Sequence, residues 1–285
     1  PSTVPVTCSP PAWRPELLRR ALVLCLGLCL IPLAGATWAE PAPQPQPVLR
    51  YCDYPVYPPI SWSDGQQVRG LAPTLVRQVL GDLGYQVQVV VLGNWKRCLL
   101  DAAAGRVDVV LAYSTSQRQQ DLLFSRVPVL REEVALFVNR RNLPSFTHLQ
   151  DLTAYRGGLL FGESYGQDFD REVVQHGNIE WVSSSQQNFG KLIRQRIDFI
   201  PHERRTGQLF IEQLPGAEDI VALPQAVSVD YLRLAVSRHS PLAPRMAEID
   251  AQLQRQVDSG AVQRWLAQSQ DDYRAMLKAQ RETAP

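Results

Sequence analysis

Along residues 48 to 113 the apolar positions switch repeatedly between two periods. Val48 to Cys52 has the short apolar pattern of a strand. From Gly70 to Gly84 the residues Leu71, Leu75, Val76, Val79, Leu80 and Leu83 share one helical face, with Pro73 near the start and Gly84 just past the end. Gln86 to Leu92 alternates with valines and predicts a second strand, and Trp95 to Ala104, closed by Gly105, predicts a second helix. Val107 to Ala112 is rich in valine and bounded by Gly105 and a Ser/Thr cluster, the pattern of a strand buried on both faces. This order of strands and helices predicts a parallel sheet with right-handed crossovers. Ligands of open α/β sheets bind off the carboxyl ends of strands, so Tyr113, Ser114 and Arg118 are candidate contacts.

The second half repeats the construction. Glu133 to Val138 predicts a strand, and so does Arg156 to Phe161. A glycine-rich turn, Gly162-Glu163-Ser164-Tyr165-Gly166, then leads into a helix from about Gln167 to Gln175, and its amide groups at a helix start suit an anion. Ile179 to Val182 predicts a short strand and Gln186 to Arg194 a helix. Arg196-Ile197-Asp198-Phe199-Ile200 echoes Arg106-Val107-Asp108-Val109-Val110, so the two halves share one strand–helix–strand plan. A late strand, Tyr231 to Val236, and helices from Pro241 to Trp265 fit a chain that returns to its first lobe. The expected organisation is therefore lobe 1 over 46–139 and 231–285, lobe 2 over 140–230, two hinge crossings, and a cleft between the lobes.

Residues 1–39 have the layout of a secretory signal peptide: Arg14, Arg19 and Arg20, an apolar run from Ala21 to Leu33 too short to span a membrane, and small residues ending at Ala36 and Ala39. Cleavage after either alanine would deliver the protein to the periplasm, with residues 40–47 as a Pro-rich linker. The whole chain carries 29 Lys+Arg and 28 Asp+Glu. Without the leader's three arginines and Glu16 it is one charge negative, and with no basic stripe it is a poor partner for nucleic acid. Cys8, Cys25 and Cys29 fall in or before the leader, leaving Cys52 and Cys98 either to bridge in an oxidising compartment or to stay as buried thiols. His148, His176, His202 and His239 lack metal-site spacing, and neither a Ser-His-Asp set nor a phosphate loop is evident, so no metal or cofactor is implied.

Asp53 to Ile60 places three prolines and two tyrosines after the first strand, a stiff ledge that either stacks on a ligand or covers the core edge. Tyr57-x-Pro59, the Gly70-initiated helix, Gly105-Arg106-x-Asp108, Ser116-x-Arg118 and Phe124-Ser125, in that order and spacing, resemble the periplasmic solute-binding proteins of family 3, the amino-acid-binding type of ABC transporters. The resemblance spans residues 48 to about 268 and implies a type II periplasmic-binding fold, a mostly parallel sheet flanked by helices in each lobe. It also implies a monomer that hands a small carboxylate-bearing solute to an inner-membrane permease. By the same resemblance Arg118 of Thr115-Ser116-Gln117-Arg118 takes the solute's carboxylate through its planar fork, and Tyr57 and Trp95 sandwich the solute. Glu163, Ser164 and Tyr165 would face it from lobe 2.

Two departures leave the solute open. The first helix starts Gly70-Leu71-Ala72-Pro73 without the family's acid, and Glu203 stands where an aspartate commonly meets an α-ammonium, beside Arg204 and Arg205 as rival ion-pair partners. Two other functions fit the same fold: a dehydratase acting on cyclohexadienyl substrates with Glu163 or Glu203 as general acid, and a ligand-sensing module for a separate receptor.

Overall fold

The computed structural model describes residues 46–283; the signal-peptide segment and most of the proline-rich linker lie outside the described residues. Strand β1 (Val48–Asp53) runs parallel to β5 (Gln86–Val91) and meets β6 (Val109–Tyr113), with α1 (Leu71–Gly81) and α2 (Trp95–Ala103) as the crossovers. The stripe on α1 is buried: Leu71, Leu75, Val76, Val79 and Leu80 are all inaccessible. Fully burying each such side chain contributes roughly 1.5–3 kcal/mol. The stretch after β1 is more ordered than a loop, since β2 (Val56–Tyr57), β3 (Ser61–Ser63) and β4 (Val68–Arg69) form a small antiparallel sheet closed at Asp64-Gly65.

The second half uses the same parts. β9 (Arg156–Leu160) is parallel to β10 (Asn178–Val182) and meets β11 (Phe199–Glu203). Between them come α3 (Gln167–Phe169), which continues as a π turn over Asp170–Val174, then α4 (Ser185–Ile193). The third strand of the first half starts later than its sequence predicts, at Val109 rather than Val107, and its echo in the second half likewise starts only after the aspartate, at Phe199. The aspartates explain the delay. Asp108 gives its N–H to the Arg50 carbonyl (2.9 Å) and accepts the Arg50 N–H on its carboxylate (2.8 Å). Asp198 does the same with Arg156, at 2.7 and 2.8 Å. A side chain that clamps the neighbouring strand's start takes the place of one ladder step, so the sequence echo is one joint used twice.

Two long strands join the halves in a two-lobed, type II periplasmic-binding architecture. β8 (Leu130–Asn139) and β12 (Ile220–Ser237) are antiparallel, and the large sheet runs β10-β9-β11-β8-β12-β6-β1-β5, with β7 (Leu122–Phe124) also on β12. The sequence pattern predicts only Tyr231 to Val236 of β12, because Pro224 and register shifts on either side of Ala226 break the alternation. After it, α5 (Arg204–Ile211) having closed the second half, α6 (Met246–Asp258) and α7 (Ala261–Thr283) return to the first. Helix α7 continues well beyond the predicted end at Trp265 and is anchored where Trp62 donates its indole N–H to Ser269 (2.9 Å). One core gathers Tyr51, Leu75, Val109 and Leu234, and another gathers Val134, Leu136, Phe169 and Phe199. Among the described residues no helix is long and apolar enough to cross a membrane.

Candidate functional site

The carboxyl ends of the parallel strands of both halves converge on one cavity. β1 ends in Asp53, β6 in Tyr113, and the single turn after β6 carries Arg118. Trp95 opens α2, where Asn94 caps the helix by accepting the Arg97 N–H (2.9 Å). From the other side come Glu163 in the turn after β9, Ser185 at the start of α4, and His202 with Glu203 at the end of β11.

A chain of hydrogen bonds crosses this cavity. The Tyr57 and Tyr113 hydroxyls are 2.7 Å apart, and the Tyr113 hydroxyl donates to Glu203 Oε1 (3.1 Å). Glu203 Oε2 lies 3.0 Å from His202 Nδ1, and His202 Nε2 lies 3.0 Å from Ser185 Oγ. The His202 ring stands among Phe137, Phe189 and Phe210, which fix its plane. Arg118 also spans the halves, donating from Nη1 to the Tyr113 carbonyl (2.9 Å) and from Nη2 to the Gly162 carbonyl (2.8 Å). Trp95 is only 7% exposed, and its indole N–H has no partner among the described residues. Such a donor beside a cavity is a group a ligand can satisfy.

Seven of the nine candidate contacts, Tyr57, Trp95, Tyr113, Arg118, Glu163, Tyr165 and Glu203, line this cavity. Ser114 and Ser164 do not. Ser114 accepts from the Gln119 amide (2.8 Å), and Ser164 donates to Asp170 Oδ2 (2.5 Å). Asp170 also accepts the Tyr165 N–H (3.0 Å), so the glycine turn's amide donor is committed to the turn's own carboxylate rather than open to an incoming anion. Nor does Glu203 pair with the arginines after it. Arg204 turns to Glu133 and the Leu223 and Pro224 carbonyls, and Arg205 turns to Glu132.

The model of the bacterial extracellular solute-binding proteins, family 3, matches residues 49–273. The chain belongs to that family. Solved structures of similar fold include an ancestral arginine-binding protein bound to arginine, at TM-score 0.68 and 18% identity over 78% of this chain and 98% of that one. An amino acid ABC transporter substrate-binding protein from Streptococcus pneumoniae bound to L-arginine matches at TM-score 0.67 and 18% identity, covering 79% and 94%. A histidine kinase sensor domain with similarity to periplasmic binding proteins matches at 0.67 and 18%, covering 78% and 95%. No curated protein sequence matches. At these identities the neighbours speak for the fold of this solute-binding protein and not for its ligand.

The electrostatics of the cavity are acidic. Burial pushes the Glu163 carboxyl up to about 8; Glu203 adds to the rise and Arg118 opposes it. Burial also raises Asp53 to about 6, against the hydrogen bonds it accepts from Ser61 (2.5 Å) and Tyr51 (2.8 Å). For Glu203 burial acts in the same sense, but the bond and charge of His202 outweigh it and hold this carboxyl below its ordinary value. Burial pulls the Arg118 guanidinium down while Glu163 and Asp170 hold it up.

Sequence reading missed Asp53, Ser185 and His202, all of which line the cavity, as does Tyr54 of the predicted aromatic ledge. Asp53 left a legible signal, a carboxylate at the carboxyl end of the first strand after Tyr51 and Cys52. His202 left none: strand alternation places it opposite Glu203, and only the turn of the chain into α5 brings the two side chains together.

Cys52 and Cys98 are joined as a disulfide, with Cα atoms 5.7 Å apart, tying β1 to the first turn of α2 behind this wall.

Proposed function

We propose that the protein captures a small amino-acid-type solute between its two lobes, 46–139 with 231–285 and 140–230, and presents the closed form to an inner-membrane permease after export to the periplasm. The observation that carries this reading is the placement of Arg118 and Glu203 on facing walls of one cavity, with the unpartnered Trp95 N–H beside them. Guanidinium matches a carboxylate and Glu203 an ammonium, so the pair reads both ends of an α-amino acid. Its family and the arginine and amino-acid binders among its structural neighbours support the same class. Lobe closure would remove water from these contacts and strengthen them.

A thermal-shift screen of amino acids and organic acids tests the proposal, because a solute that binds only the native state raises the melting temperature. An amino acid should give a clear rise in the wild type and little or none in Arg118→Ala. No rise with any carboxylate, or an equal rise in the variant, would count against it.

Two other readings have an observation each. The sensor domain among the neighbours fits ligand sensing through a separate receptor, for which pull-down of a membrane kinase rather than a permease is the discriminating result. Ser185, His202 and Glu203 stand in the order nucleophile, base and orienter, which fits acyl transfer. Covalent labelling of Ser185 by a fluorophosphonate would favour that enzyme reading, and an unlabelled Ser185 would dismiss it.

A further inference from the structure

The family roles used above account for Arg118 and Glu203 but leave Glu163 without a task, and charge counting gives it one. Asp53 is satisfied inside lobe 1 by Tyr51 and Ser61. That leaves two carboxyl groups, Glu163 and Glu203, beside one guanidinium whose two terminal nitrogens already serve main-chain carbonyls, and the imidazole of the same cavity, His202, bonds Glu203 and not Glu163. The other groups that act on Glu163 are Tyr54 and Tyr113 of lobe 1, and Tyr165 and Asp170 of lobe 2, none of them a cation; Lys96 of α2, which packs against the neighbouring Gly162, shares only the adjoining outer cavity with it. Around Glu203 stand His202, Tyr57, Tyr113 and Glu132, and Arg118 also feels Asp230 on β12. A solute with no net charge, its carboxylate on Arg118 and its ammonium on Glu203, would leave the half-buried Glu163 carboxyl without a counter-charge, and such a group holds a proton more readily than one in water.

The geometry points to a solute with a second positive charge: Glu163 is the counter-charge for a cationic side chain, and capture of that cation displaces the proton that Glu163 otherwise holds. This rests on the amino-acid reading and names the class within it, the basic amino acids. The two carboxyls titrate as a coupled pair, so the released proton belongs to the pair and Glu163 is where it is held. Below the pH at which Glu163 ionises in the free protein, affinity for a basic solute rises with pH, by at most about tenfold per unit for one proton released. Affinity for a neutral amino acid stays flat across the same range.

Isothermal titration at pH 6.5 in phosphate and in imidazole, both of which buffer there and whose ionisation enthalpies differ, reads the proton directly. L-arginine is expected to show a buffer-dependent heat equivalent to nearly one proton released and to bind at least tenfold tighter than L-glutamine, which shows no such dependence. In Glu163→Gln, which keeps the shape and loses the charge, the release should vanish and the preference shrink several-fold. L-glutamine binding as tightly as L-arginine, or L-arginine binding with no buffer dependence, overturns the inference while the amino-acid reading stands. Putrescine bound with proton release, with neither amino acid bound, would uphold the role of Glu163 and overturn the amino-acid reading. Silence of all three probes overturns both.

Discussion

Asp53, Glu132 and Glu163 share one physical condition: each is a carboxyl that burial raises, to about 6, 7 and 8 respectively. A carboxyl whose folded value exceeds its unfolded one binds more protons when folded, so its contribution to stability is complete at low pH and is lost as pH rises through the folded value. The unliganded protein should therefore lose thermal stability between about pH 5 and pH 8, and Glu163→Gln should flatten the upper part of that decline. Glu203 acts oppositely, being held below its ordinary value, so protonating it removes stability on the acid side. Melting temperature against pH checks both limbs; a curve for Glu163→Gln that falls as steeply as the wild type above pH 6 would refute the assignment. The indole N–H of Trp95 supports a separate expectation, that Trp95→Phe weakens solute binding several-fold, while the melting temperature falls only by the lost packing of the ring against its core neighbours and not by a lost hydrogen bond.

Among the elements, the Asp108 and Asp198 joints set where each half's third strand begins. Asp198→Ala removes a carboxylate that accepts the Arg156 N–H and guanidinium, and is expected to lower the denaturation midpoint, readable by denaturant titration. The disulfide joins residues 46 apart in sequence, so replacing Cys52 and Cys98 by alanine should lower stability by up to about 4 kcal/mol through the freed loop entropy of the unfolded chain. The elements that the sequence made legible are those whose burial follows their own period: α1, β5, α2, β9 and α4 lie within a few residues of their predicted bounds. The elements it hid depend on partners distant in the chain. β12 hides behind Pro224 and a bulged register that only pairing with β8 explains, and α7 extends past Trp265 on a face that covers Trp62 rather than a core of its own. The same divide runs through the site. Arg118, Trp95 and Tyr57 come through the family resemblance, whereas the commitment of the glycine turn to Asp170 and of Arg204 and Arg205 to Glu133 and Glu132 arises only from tertiary contact.

At the scale of the whole molecule, the proposed capture depends on how closely the two proposed lobes approach. Direct contacts cross between them: Tyr113 to Glu203, Arg118 to the Gly162 carbonyl, and the Tyr54 hydroxyl to the Ser183 carbonyl. Gly162 sits close against α2, since a Cβ there would come within 2.8 Å of the Lys96 Cα, and its φ of +85° also suits glycine. Gly162→Ala is expected to keep both lobes folded but hold them apart, weakening solute binding at least tenfold and preventing the fall in radius of gyration on adding solute that small-angle scattering should record for the wild type. Binding and compaction equal to wild type would show that closure does not need this approach. The central claim, a single interlobe site that reads a solute at Arg118, Glu203 and Glu163, is tested most directly by a crystal structure grown with the amino acid that raises the melting temperature most. The expected result is that solute in the cleft, its carboxylate within hydrogen-bonding distance of Arg118, its α-ammonium at Glu203 and a side-chain cation at Glu163. A solute bound outside the cleft, or bound within it with its carboxylate turned away from Arg118, would contradict the account.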